Sequence, residues 1–143
     1  VSGGAWNAAA VGVGNWRRLR PYWRFFSRMP AVDLTNLARE HSPFIWTRLH
    51  ERAFARYVGA EKIREAPMPI LVALTNLASK ESVIVDIRDS TDPFRILLAS
   101  NYLPPFFTHP PNIDGSRYGD GGWSNNLPYE ALLEHACTRE PVG

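Results

Sequence analysis

Two short runs in the middle of the chain are almost entirely apolar. Residues 70–74 contain no polar side chain, which predicts a strand that is covered on both faces. Residues 83–87 follow a polar turn and predict a second strand. Further along, Asp114-Gly115 between extended residues is a strong hairpin signal. We therefore expect residues 70–74 to lie in the centre of a sheet.

Helical spacing of apolar residues dominates the segment between Ser42 and Gly59. Ser42 can cap a helix, Pro43 suits its first turn and Gly59 suits its end. The apolar positions recur every three or four residues, which predicts a helix with one face in the core: Trp46, Leu49, Ala53, Phe54 and Tyr57. We expect His50 to lie on the exposed side of this helix.

Three other segments also predict helices. Residues 5–13 are small and apolar on every side, as in a helix packed closely against a sheet. Asp92 and Pro93 suit the start of a helix over residues 93–99. Residues 128–136 predict a last helix with three side chains directed inward: Leu132, Leu133 and Ala136.

Composition indicates one globular domain or most of one. The chain has 143 residues, of which 45% are hydrophobic and 12% aromatic, enough to form a core. Its single cysteine, Cys137, excludes a disulfide within these residues and is predicted to be buried and unreactive. No run approaches the roughly 18 apolar residues that a membrane-spanning helix needs. We expect a cytoplasmic or peripheral membrane protein.

Positive charge is concentrated near the beginning of the chain. The first 32 residues carry five arginines and no acidic residue, with aromatic residues among the arginines. The segment fits a solvated basic face with inward-packing rings, a lipid-contacting surface or a nucleic-acid patch. A net charge of +2 lacks the basic footprint of nucleic-acid-binding proteins, so no such partner is expected. Peripheral membrane contact would use Arg17, Arg18, Arg20, Trp23 and Arg24.

Ser2 lies between small residues, directly before the alanine-rich segment. The order Val1-Ser2-Gly3-Gly4 is typical of a nucleophile elbow, a sharp turn that presents a serine at the head of a helix. Glycines permit the turn, and the free N–H groups of the helix start would face an oxyanion. Only x-S-x-G of the full G-x-S-x-G pattern is present, so the motif alone also fits a flexible end or a helix cap.

A second motif follows the predicted hairpin. Residues 120–122 are Asp-Gly-Gly, and Trp-Ser-Asn-Asn-Leu-Pro follows. Together with the Ser2 segment, and in the same order, this motif resembles the two catalytic segments of the patatin-like phospholipases. The strands predicted over residues 69–76 and 83–86 also resemble that family, and residues 98–107 resemble its Ala-Ser-x-x-x-Pro-x-x-Phe stretch.

This resemblance implies a fold and a reaction. The fold would be a partial patatin-like domain over residues 1–143, a three-layer α/β/α arrangement with a mixed, mainly parallel central sheet. The reaction would be hydrolysis of fatty acyl esters of phospholipids or glycerides through an acyl-serine. Ser2 would be the nucleophile, Asp120 its base in a dyad without histidine, and Gly3 an oxyanion donor through its backbone N–H. No cofactor, metal or calcium is implied.

The residues leave two alternatives open. A catalytic triad would need one of four histidines, of which His109 is the best placed because its proline-flanked loop could face a pocket: His41, His50, His109 and His135. A different functional class, a non-catalytic lipid-binding or membrane-interaction module on the same fold, would use the basic aromatic segment.

The chain departs from the family pattern at its beginning. Patatin-like enzymes carry a glycine-rich turn upstream of the elbow that supplies further oxyanion donors, and neither this turn nor the strand leading into the elbow precedes Val1. We therefore expect the 143 residues alone to be almost inactive and the longer parent protein to be a hydrolase.

Overall fold

The computed structural model describes the backbone of residues 1–138 and the side chains of residues 1–134. Its strands are β1 (Leu71–Asn76), β2 (Ser82–Asp86), β3 (Asn112–Ile113) and β4 (Ser116–Asp120). Its α-helices are α1 (Ser2–Gly12), α2 (Leu19–Arg28), α3 (Leu37–Glu40), α4 (Trp46–Tyr57), α5 (Ala60–Arg64), α6 (Pro93–Ser100) and α7 (Tyr129–Thr138). The described part is thus a mixed α/β structure.

The four strands form one sheet in the order β2-β1-β4-β3, in which every neighbouring pair is antiparallel. β1 pairs with β2 on one side and β4 on the other, so the predicted central position of residues 70–74 is confirmed. The expected mainly parallel sheet is wrong for these strands. Only residues 77–81 join β1 to β2, whereas a parallel pair needs a crossover of about a dozen residues.

The predicted hairpin joins β3 to β4. Asp114 and Gly115 have φ angles of 50° and 85°, the left-handed backbone that a tight two-residue turn requires. β4 then runs back along β1 and ends at Asp120, opposite Leu74. The hairpin therefore brings the Asp-Gly-Gly motif to the central strand.

The core lies between the sheet and the helices of one face. Val72 and Leu74 of β1 pack in one cluster with Leu97 and Ala99 of α6. The other face of β1 carries Leu71, which borders a groove beside α7. The three-layer arrangement remains a prediction.

α1 packs closely on this core, as predicted for residues 5–13. Ala5, Trp6 and Ala9 are buried in it, and a Cβ at Gly12 would lie 2.6 Å from the Ile70 side chain. The small residues therefore let the helix approach the sheet. Gly14, with a φ angle of 74°, follows the end of the helix.

Two helix predictions need correction. α4 begins at Trp46, because Ser42 Oγ accepts the Phe44 N–H at 3.2 Å and stabilises a turn before the helix. In α7, Leu132 and Leu133 are 57% and 59% exposed, not inward, and Leu132 lines an open groove between α7 and the sheet. The side chains of Ala136 and Cys137, also expected to be buried, lie outside the described residues.

The start of α6 agrees with its prediction. Asp92 Oδ1 accepts the Arg95 N–H at 3.0 Å, and Pro93 occupies the first turn. This cap fixes where α6 begins, and its eight residues carry the chain to Ser100 beside β1. None of the described helices is long and apolar enough to cross a membrane.

Candidate active site

Ser2 is the first residue of α1 and has an unusual backbone conformation. Its φ angle is 50°, in the left-handed region that residues other than glycine rarely adopt. Its N–H donates to Ser100 Oγ at 3.1 Å, and Ser100 Oγ donates to the Ala73 carbonyl at 3.0 Å. The end of α6 thus ties the strained turn at Ser2 to the central strand. Strain of this kind often marks functional residues.

Asp120 ends β4 and is 9% exposed. Its Oδ1 accepts the Gly122 N–H at 2.8 Å, while its carbonyl oxygen accepts the Thr75 hydroxyl at 2.8 Å. A Cβ at Gly121 would overlap the Ala73 carbonyl, so only glycine lets the chain turn this close to β1. The glycines of the Asp-Gly-Gly motif therefore hold the carboxylate against the sheet.

Ser2 and Asp120 line the same cavity, whose volume is about 160 Å³. The other lining residues are mainly aromatic or aliphatic: Trp46, Asn101, Leu103, Phe106 and Phe107. The fold therefore brings the two predicted catalytic residues, which are distant in sequence, to one largely apolar pocket. Within the described part of the chain, no hydrogen bond joins Ser2 to Asp120.

The Ser2 hydroxyl is bonded to Asn101 instead. Ser2 Oγ lies 3.3 Å from Asn101 Oδ1, and Asn101 Nδ2 lies 3.0 Å from His50 Nε2. His50 Nδ1 lies 2.8 Å from the Trp46 carbonyl oxygen. Because that carbonyl can only accept, His50 carries its proton on Nδ1, and Nε2 must accept from the Asn101 amide. Asn101 is thereby oriented with its oxygen toward Ser2.

His50 is buried, contrary to the expectation of an exposed side chain. It is 4% exposed, and its ring packs against Trp6, Phe26 and Phe107. This burial lowers the pKa of His50 from 6.5 to about 4, although the hydrogen bond with the Trp46 carbonyl acts in the opposite direction. The imidazole is therefore neutral at physiological pH.

We expect His50 to make the protein less stable as the pH falls from about 6.5 to about 4. Over this range the unfolded chain takes up a proton at His50 while the folded protein does not, and below it both states are protonated. The free energy of unfolding should fall by roughly 3 kcal/mol in total. Denaturant unfolding at several pH values measures this loss. His50→Gln is the control, and equal pH slopes for the two proteins over this range would contradict the assignment.

Gly3 lies directly after Ser2 in the first turn of α1. Amides at the start of a helix have no acceptor within it, and Ala5 N–H is the first to reach a carbonyl, that of Val1, at 3.2 Å. The Gly3 N–H is therefore among the groups that could face an anion at Ser2. A Cβ at Gly3 would contact the Trp23 ring at 3.4 Å.

Trp23 connects the basic aromatic segment with this turn. Its indole N–H donates to Asn7 Oδ1 at 2.9 Å, and its side chain is 43% exposed. Tyr22 beside it is buried against Trp6, whereas the surrounding arginines are exposed. The segment thus has an inward-packing face and an exposed face of arginine and tryptophan next to α1.

The other histidines lie apart from Ser2. His109 is exposed and lines a different depression, beside Glu51 and Phe94. His41 is exposed at the end of α3. The side chain of His135 lies outside the described residues. Of the described histidines, only His50 is linked to Ser2, and the link passes through Asn101.

A larger depression, of about 480 Å³, lies over α6 and the hairpin, but neither Ser2 nor Asp120 lines it. Two of its carboxylates have arginine partners: Asp86 bonds Arg88 at 2.7 Å and Asp92 bonds Arg95 at 3.2 Å. No group of three His, Cys, Asp or Glu side chains among the described residues could hold a metal ion. We therefore place the candidate site in the smaller cavity.

Sequence reasoning missed Ser100 and Asn101 as parts of the site, and it named His50 only among the four histidines of an alternative triad. The signals were present. Ser100 and Asn101 lie in the stretch that resembles the Ala-Ser-x-x-x-Pro-x-x-Phe pattern, and His50 follows Trp46 by four residues on the buried face of α4.

Comparison with known proteins identifies one family. The family model of the patatin-like phospholipases matches residues 1–133, which is most of the chain. No curated protein and no solved structure matches the chain significantly.

Proposed function

Because this chain belongs to the patatin-like phospholipase family, we propose that it is a lipid acyl hydrolase with Ser2 and Asp120 as its catalytic dyad. One observation carries the proposal. Ser2, in a strained turn at the head of α1, and Asp120, at the end of β4, line one largely apolar cavity. A hydroxyl becomes a strong nucleophile only beside a base, and a carboxylate can be that base.

In the proposed reaction, Ser2 Oγ attacks the carbonyl carbon of a fatty acyl ester while its proton moves to Asp120. The tetrahedral oxyanion collapses and expels the alcohol, which takes the proton from Asp120. Water then attacks the acyl-serine and gives a proton to Asp120. Collapse of the second intermediate releases the fatty acid and returns the proton to Ser2.

The Gly3 N–H is the proposed oxyanion donor. It directly follows the nucleophile, and the amide dipoles of α1 favour negative charge at its N-terminus. The apolar walls formed by Leu103, Phe106 and Phe107 suit a fatty acyl chain. These features favour esters of phospholipids or glycerides as substrates.

The test is reaction with a fluorophosphonate probe, followed by mass spectrometry to find the modified residue. The protein is expressed from its complete coding sequence, and acid-unfolded protein is the control for nonspecific labelling. We expect one adduct, on Ser2. Labelling at another serine, or no labelling, would overturn the dyad and favour the non-catalytic lipid-binding module.

Contact with a membrane surface would bring this cavity to its substrate. Arg17, Arg18, Arg20 and Arg24 are exposed and, within the described residues, none of them makes a salt bridge. Trp23 lies among these arginines, and its ring lies beside Gly3 in the turn that follows Ser2. An exposed tryptophan among arginines is typical of a surface whose rings insert at the level of the lipid headgroups. We propose that this face binds anionic lipid.

Reversal of these four charges to glutamate should weaken binding to anionic vesicles by about 10³-fold or more, because each cation near the surface contributes about 1 kcal/mol and about 1.4 kcal/mol corresponds to a factor of ten. Sedimentation with phosphatidylcholine vesicles containing phosphatidylserine measures the effect. Four reversals elsewhere on the surface are the matched control: Arg39, Arg52, Lys62 and Lys80. Equal losses in both variants would show a general charge effect and no binding face.

A further inference from the structure

A chain of polar contacts leads from the candidate nucleophile into the core. Ser2 bonds Asn101, Asn101 bonds His50, and His50 bonds the Trp46 carbonyl. Resting on the proposed role of Ser2 as nucleophile, we propose that Asn101 is a positioning residue whose amide, oriented by His50, holds the Ser2 hydroxyl proton away from Asp120.

The direction of each bond follows from donor and acceptor chemistry. The Ser2 hydroxyl has one proton, so it can donate to Asn101 Oδ1 or to Asp120, but not to both. Asn101 presents its oxygen because its NH₂ group is held by His50 Nε2. That nitrogen accepts because the Trp46 carbonyl holds the only imidazole proton on Nδ1.

The surroundings keep this arrangement in place. His50 is enclosed by aromatic rings whose centroids lie 4.8 Å away for Phe26, 4.9 Å for Trp6 and 5.6 Å for Phe107. Asn101 is half-buried directly after α6, where its own N–H donates to the Leu98 carbonyl at 3.1 Å. Turning the amide by 180° would place its NH₂ toward Ser2 and leave His50 Nε2 without a donor.

This contact opposes the first step of the reaction. As Ser2 loses its proton to Asp120, the oxygen of Asn101 faces the growing negative charge on Ser2 Oγ and has no hydrogen to share with it. The Ser2–Asn101 bond therefore stabilises the resting state more than the transition state. An interaction of this kind slows the chemical step, so its removal should accelerate that step.

Asn101→Ala tests the proposal. We expect the Ser2 adduct to form about threefold to tenfold faster at saturating fluorophosphonate, the factor that corresponds to one neutral hydrogen bond. His50→Phe keeps an aromatic ring but removes the acceptor, and should also accelerate labelling. His50→Gln can offer an oxygen near the position of Nε2, and should label at close to the unmodified rate.

Ser100→Ala, at the residue directly before Asn101, is the matched control for Asn101→Ala. Ser100 also contacts Ser2, but through the backbone N–H, so its removal should loosen the turn and slow labelling. If Asn101→Ala and His50→Phe, folded by thermal melting, label at the unmodified rate or slower, the inference is wrong. Slower labelling of Asn101→Ala would instead mean that Asn101 supports the reactive geometry of Ser2. Absence of a Ser2 adduct in the unmodified protein would overturn the proposed function itself, a distinct outcome.

Discussion

Replacing Ser2 with alanine is expected to abolish ester hydrolysis, with kcat/KM reduced by about 10⁴-fold or more. The variant loses the atom that would form the acyl intermediate. Its backbone bond to Ser100 Oγ does not involve the Ser2 side chain and should remain. The measurement is turnover of a chromogenic fatty acyl ester and of phospholipid vesicles by the protein expressed from its complete coding sequence.

Ser116→Ala is the matched control for this change. Ser116 is also half-buried, but it lies at the start of β4 and does not line the Ser2 cavity. We expect it to retain full activity. If Ser2→Ala kept a tenth or more of the activity while folded, another nucleophile would have to be sought and the dyad would be wrong.

Asp120→Asn is expected to reduce kcat by about 10²- to 10⁴-fold, the range measured when a general base is lost. The asparagine side chain has nearly the same shape, and its oxygen can still accept the Gly122 N–H. It cannot take the Ser2 proton. The loss should therefore appear in kcat, with little change in KM or in the free energy of unfolding.

Asp114→Asn is the matched control for Asp120→Asn, because it removes a carboxylate from the turn of the same hairpin. Asp114 is exposed and has a φ angle of 50°, a backbone that asparagine adopts readily. This control should be fully active and equally stable. An active Asp120→Asn protein would mean that another group takes the Ser2 proton.

Local sequence signals predicted much of the fold. The apolar run at residues 70–74, the cap at Asp92 and the turn at Asp114-Gly115 each depend on a few adjacent residues, and each occurs as expected. The position of Ser2 at the head of a helix also follows from a short motif, whereas the pairing that places Asp120 beside the central strand was not predicted. Their shared cavity did not follow from spacing and was expected only from the family resemblance.

Features set by tertiary packing were harder to predict. The strand direction was taken from the resemblance, although the short β1–β2 connection already favoured an antiparallel pair. His50 was expected on the exposed side of its helix, but it is buried, where aromatic rings enclose it and two hydrogen bonds satisfy its ring nitrogens. The contacts of Asn101 could not be predicted from its own segment, because its partners Ser2 and His50 come from α1 and α4.

Both residues of the proposed dyad are held in place by β1. Ser2 is tied through Ser100 to the Ala73 carbonyl, and Asp120 lies opposite Leu74, the next residue along the strand. A shift of the central strand would therefore carry both groups with it. Bending of the surface helices during contact with a lipid aggregate would therefore leave the distance between the proposed nucleophile and base nearly constant. Motions at the protein surface would not change the reactive geometry.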